Sequence, residues 1–225
     1  MKKVKISVEN GAAALKKCAG CTGCTNVEKS LNSPLVKVIP GISPRHEHGV
    51  EYDHADLLII TKVEGLDLGP GPMAFDAHHG GEISRAIKAN NFRGAAGEHL
   101  TIEFAPEEKG GRPRYVVVVG IGAAEDVGRR RVCALFNYAL TMACQLEARS
   151  LIIPIFPYRS SAGVLNLKGT AAVLRCLLAE RVKRGSLGHL EEVRLLSTPQ
   201  AKSHLETGLA VEHTLCSHCR IPKLV

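Results

Sequence analysis

Tyr115-Val-Val-Val-Val-Gly-Ile-Gly122 is an apolar strand that runs directly into a small-residue turn, and Ser150-Leu-Ile-Ile-Pro-Ile-Phe-Pro157 repeats the device. A helical pattern over residues 126–147 follows the first. The second leads through Tyr158-Arg-Ser-Ser-Ala-Gly163 into a helical pattern that reaches residue 184. Four consecutive valines leave no polar face, so that strand is covered on both sides. Strands alternating with helices predict an α/β fold with a central, mostly parallel mixed sheet. Such sheets hold ligands just beyond the carboxyl ends of their strands.

Outward from these units, Asp56-Leu-Leu-Ile-Ile-Thr61 reads as a buried strand, and residues 65–72 as a loop dense in Gly and Pro. A helix starts near Gly81, with Ile83, Ala86 and Ile87 on one face. Residues 100–104 alternate as a half-buried strand should, and residues 193–197 form a last strand. Pro199 then fits the first turn of a short helix ending near residue 209, because its missing N–H costs nothing there. Residues 4–8 suggest an edge strand, and residues 35–39 form a short apolar piece. The expected division is an N-terminal extension over 1–50, a domain over 51–212 and a tail over 213–225.

The 225 residues suit one domain with decorated ends, and 45% hydrophobic content supports a sizeable core. No apolar run approaches the roughly 20 residues of a membrane span. The N-terminal lysines are not followed by the apolar stretch of a secretion signal. The expectation is a cytoplasmic protein without a membrane partner, whose eight cysteines are thiols or metal ligands rather than disulfides.

The net charge of +7 lies at the two ends. Residues 1–50 carry eight Lys or Arg against three Asp or Glu, residues 51–212 carry nineteen of each, and residues 213–225 add Arg220 and Lys223. A basic nucleic-acid groove across the body is therefore not expected, and the absence of Trp leaves few stacking platforms. Arg129, Arg130 and Arg131 read as a solvated helix face. Cys133, Cys144 and Cys176 fall in apolar helical patterns and read as small core residues.

Several of these segments together resemble the N-terminal domain of the leucyl aminopeptidase family. They are Ala55-Asp56-Leu-Leu-Ile-Ile, the His79-Gly-Gly-Glu-Ile83 helix start, Asn91-Phe-Arg-Gly-Ala-Ala-Gly-Glu98, Val116-Val-Val-Val-Gly-Ile-Gly122 and Thr207-Gly-Leu209. The resemblance implies a macro-domain-like, three-layer α/β/α fold; macro domains elsewhere bind ADP-ribose. The family's chemistry belongs to a second, metal-binding domain whose Asn-Thr-Asp-Ala-Glu-Gly-Arg motif does not occur in this sequence, so no catalytic residue carries over. The Asn-Ala-Ala-Asn loop of macro domains is replaced by Thr61-Lys-Val-Glu64.

Two candidate sites stand out. Gly120 and Gly122 make a lone G-x-G at a strand tip, without the third glycine of a dinucleotide fingerprint. Asp126 reads as the N-cap that follows, and Glu82 as the carboxylate serving the earlier helix. Arg159, Ser160, Ser161, Ala162 and Gly163 form an acid-free loop, similar to the phosphate-cradling loop of macro domains, whose amides and hydroxyls suit a phosphate. Its plain alternative is a serine cap serving only its own helix. The second candidate is metallic. Cys18, Cys21 and Cys24 near one end, with Cys216 and Cys219 near the other, have the Cys-x-x-Cys spacing of thiolate pairs that grip zinc. His46, His48, His54, Glu51 and Asp53 form a weaker cluster.

The resulting expectation is a non-catalytic binding or assembly module. Its ligand would be a phosphate-bearing metabolite held by Gly120, Gly122, Arg159, Ser160, Ser161, Ala162 and Gly163, or its partner a separate peptidase subunit or a second copy of itself. The alternatives are part of an aminopeptidase and a macro-type ADP-ribose hydrolase. A convincing acid–base pair is missing from the sequence, which disfavours both.

Overall fold

A computed structural model of the chain describes residues 5–9 by their backbone, and residues 34–40, 55–105, 112–154 and 166–210. Seven strands form one sheet: β1 (Lys5–Glu9), β2 (Leu35–Pro40), β3 (Leu57–Lys62), β4 (His99–Glu103), β5 (Tyr115–Gly120), β6 (Ser150–Pro154) and β7 (Glu192–Ser197). Their spatial order is β1-β4-β5-β3-β6-β7-β2. The five strands β5, β3, β6, β7 and β2 are mutually parallel; β4 runs antiparallel to β5, and β1 antiparallel to β4.

Five helices cover the sheet: α1 (Pro70–His78), α2 (Glu82–Ala89), α3 (Arg129–Gln145), α4 (Leu167–Arg184) and α5 (Pro199–Leu209). The two-residue period of a strand sorts the apolar side chains. Leu57, Ile59, Val117, Val119, Leu151, Ile153, Val193 and Leu195 face α3, α4 and α5. Leu58, Ile60, Val116, Val118, Leu100, Ile102 and Ile152 face Phe75 of α1 and Ile83 and Ala86 of α2. The fold is therefore a three-layer α/β/α sandwich, with the central valine run buried on both faces.

The segment expected to be an extension supplies both sheet edges. β1 pairs with β4, and β2 pairs with β7 along its whole length. Glu192 at the start of β7 reinforces that second edge. Its carboxylate meets Lys37 Nζ at 2.6 Å and Arg194 Nη2 at 2.8 Å. The hydrogen bond from Arg194, aided by Lys37, holds the Glu192 carboxyl below its ordinary value.

Three local readings change. Residues 70–72, read as loop, open α1, because Pro70 and Pro72 occupy a first turn where no N–H is needed. Asp126 does not cap α3; it belongs to a single 3₁₀ turn, Ala124–Asp126, and Gly128 is the cap. Val127, buried to 3% exposure, inserts between the turn and the helix and displaces the start. The α2 terminus is served by buried Asp76, which accepts from Ile83 N at 2.7 Å and Ser84 N at 3.1 Å. Glu82 stands in the first turn of α2, as read, and pairs there with Arg85 at 2.9 Å. Cys133 and Cys176 are buried in the core, and Cys144 is half-buried.

Candidate functional site

The carboxyl ends of β3 and β5 meet the segment 91–98, which returns from α2 to β4. Its close fit is set by glycine. A Cβ on Gly120 would sit 2.1 Å from the Ala95 carbonyl oxygen, so only hydrogen fits at the tip of β5. Gly94 has φ +87°, a conformation that side chains rarely adopt, and a Cβ there would come within 2.9 Å of Lys62 O.

Lys62, at the tip of β3, is 9% exposed. Its ammonium turns inward and donates to Leu66 O at 2.6 Å, Arg93 O at 3.0 Å and Val63 O at 3.4 Å. A buried ammonium requires such partners, and here it pins the β3–α1 loop to the segment after α2. Glu98 supplies the opposite charge. Its Oε2 accepts from the amides of Arg93 at 3.0 Å, Gly94 at 2.8 Å and Ala95 at 3.0 Å. Three successive amides converging on one oxygen are an anion-binding nest, and the chain's own carboxylate lies in it.

The amides of the G-x-G turn are engaged as well. Gly120 N donates to Glu98 O at 2.8 Å, Ile121 N to Lys62 O at 3.0 Å and Gly122 N to Gly94 O at 2.9 Å. Gly120 and Gly122 thus serve close packing and backbone pairing at this rim. Sequence reading singled them out by type. It missed Lys62 and Glu98, although Glu98 ends the Phe92-x-Gly-x-x-Gly-Glu segment that carries the resemblance. A glutamate four residues after an αL glycine was the available signal.

The other nominated residues fall elsewhere. Arg159, Ser160, Ser161, Ala162 and Gly163 lie outside the described residues, as do Cys18, Cys21, Cys24, Cys216, Cys219 and the histidine cluster at 46–54. The cap of α4 is Asn166, whose Oδ1 accepts from Gly169 N at 2.8 Å, so the serines of that loop are not its cap. Among the described residues, no group of three or more His, Cys, Asp or Glu is placed to hold a metal ion, and no helix is long and apolar enough to cross a membrane.

Residues 58–179 match the N-terminal domain of the cytosol aminopeptidase family. No curated protein sequence matches the chain. Among solved structures, a mutant of tomato leucine aminopeptidase is 17% identical with a TM-score of 0.51, over 79% of this chain and 36% of that one. The chain thus spans about a third of that enzyme. The Trypanosoma brucei macrodomain in complex with ADP is 14% identical with a TM-score of 0.55, over 78% of this chain and 68% of that one. A mutant of the Oceanobacillus iheyensis macrodomain is 13% identical with a TM-score of 0.53, over 91% and 96%. At these identities the likeness is one of fold, and the fold is macro-like.

Proposed function

Because the chain belongs to the cytosol aminopeptidase family through its N-terminal domain, we propose that it is a non-catalytic, cytoplasmic, macro-like module that works by assembly, with a separate peptidase subunit or with a second copy of itself. The observation that carries this reading is the state of the rim beside β3 and β5. Its amide donors are engaged by Glu98 and by backbone carbonyls, and Lys62 is turned inward onto carbonyls. Groups so engaged are not free to recognise a small molecule. Two large apolar side chains stand exposed on the elements that follow β3: Leu66, on the loop that Lys62 pins, is 57% exposed, and Met73 of α1 is 52% exposed. Native mass spectrometry of the chain alone, and mixed with a leucyl aminopeptidase catalytic chain, tests the proposal. The expected result is a stable complex in one of the two samples, weakened by Leu66→Asp with Met73→Asp. A monomer in both contradicts it.

A second reading, binding of a phosphate-bearing metabolite at Arg159, Ser160, Ser161, Ala162 and Gly163, has one support: Asn166 caps α4, which leaves those serines without that duty. The ADP held by the similarly folded trypanosomal protein makes ADP the first ligand to try. A saturable rise in melting temperature with ADP that Ser161→Ala abolishes would favour it.

Zinc at Cys18, Cys21, Cys24, Cys216 and Cys219 belongs to the same proposal as a structural ion. Its support is topological. β2 begins at Leu35 on one sheet edge, and α5, which ends at Leu209, packs beside β2. In sequence, Cys24 precedes β2 by eleven residues and Cys216 follows α5 by seven. Zinc bound by thiolates would fasten the ends of the chain together.

A further inference from the structure

We propose that the amides of Arg93, Gly94 and Ala95 form an oxyanion site suited to a carboxylate or a phosphate, and that Glu98 is its tethered occupant, set there to exclude free anions. The three donors meet Glu98 Oε2 at 3.0, 2.8 and 3.0 Å. The positive φ of Gly94 turns successive N–H groups to one side, which is the geometry of a nest.

The surroundings favour negative charge. The Lys62 ammonium donates to Arg93 O at 3.0 Å, polarising the same peptide whose N–H reaches Glu98. Arg131 approaches the G-x-G turn beside it: a Cβ on Gly122 would lie 3.7 Å from its Nη2. Glu98 is only three residues from Ala95, so its carboxylate acts at an effective concentration of about millimolar or above. A free anion below that level does not displace it. Glu98 is thus a specificity-determining residue that keeps a macro-type rim closed to anionic metabolites. This inference does not depend on the assembly reading.

The test is an amide-resolved NMR titration of Glu98→Ala and wild-type protein with inorganic phosphate, and in a parallel arm with acetate. The expected result is saturable shifts of the Arg93, Gly94 and Ala95 amides in the variant, at an apparent affinity at least tenfold tighter than in wild type. The two arms separate a preference for phosphate from one for carboxylate. If Glu98→Ala does not fold, Glu98→Gln, which keeps the shape and weakens the occupant, is titrated against wild type with the same readout. Amides that respond no more strongly in the variant than in wild type overturn the proposal. The failures are distinguishable: amides silent in both proteins overturn this inference alone, wild-type amides that shift as strongly as the variant's count against both readings, and a monomer in the native mass spectra overturns only the assembly reading.

Discussion

Lys62 and Glu98 hold opposite ends of one peptide group: the ammonium donates to Arg93 O at 3.0 Å, and the carboxylate accepts from Gly94 N at 2.8 Å. Hydrogen bonds at both ends of a peptide polarise it and strengthen one another. The clamp fixes the segment after α2 against the tips of β3 and β5.

Lys62→Met keeps the buried stem and removes the donor. The carbonyls of Leu66 and Arg93 lose a charge-assisted partner, and the expected loss is about 2 kcal/mol in urea unfolding. Hydrogen exchange over residues 63–69 should accelerate more than in the strands. Unchanged stability would mean that the ammonium contributes nothing to holding the loop.

Gly120→Ala forces a methyl group to within 2.1 Å of a backbone oxygen that cannot move without breaking the rim. Overpacking of this kind costs about 1–3 kcal/mol or more. Gly128→Ala, where nothing lies within 4 Å, is the control and should change stability by less than about 1 kcal/mol. Equal effects in the two variants would refute the close approach.

The two strand–turn–helix units were legible because a strand buried on both faces writes an unbroken apolar run, as in residues 116–119. α1 was not, because Pro70, Gly71 and Pro72 carry the composition of a loop, and only the tolerance of a helical first turn for proline reconciles them with a helix. β1 was legible as an edge strand from the alternation of residues 4–8; β2 was legible as a short apolar piece but not as a member of the sheet, since its partner β7 is far away in sequence. At the rim, residue type marked Gly120 and Gly122. Which groups their amides meet is a tertiary fact that no local pattern records. Glu98 is marked in sequence only as the last residue of Phe92-x-Gly-x-x-Gly-Glu98; that its carboxylate folds back onto three amides is a tertiary fact.

Acid should weaken the β2–β7 edge through Glu192. Its folded-state carboxyl lies below the ordinary value of 4.5, so the ionised form stabilises the fold above that value. This contribution is lost as pH falls below 4.5 and through the lower folded value. Glu192→Gln lacks it at every pH. Urea midpoints should therefore differ at pH 7, with wild type the more stable, and converge as pH falls through the lower folded value. A difference that stays constant from pH 7 down to the lowest pH at which the protein folds would assign the effect to packing instead.

Metal analysis of protein purified without a histidine tag should find one zinc per chain, lost on changing Cys216 and Cys219 to Ser. Removal of zinc by a chelator should lower the melting temperature. Metal-free protein with an unchanged melting temperature after chelation would dismiss the terminal cysteines as ligands.

An ADP titration of wild-type protein, followed at the amides of Arg93, Gly94, Ala95, Gly120, Ile121 and Gly122, bears most directly on the claim that the chain's own groups fill the rim. The account predicts that these six resonances stay in place, whatever happens elsewhere in the molecule. A saturable shift of this set would show a ligand taking the rim from Glu98 and the backbone, and would contradict it.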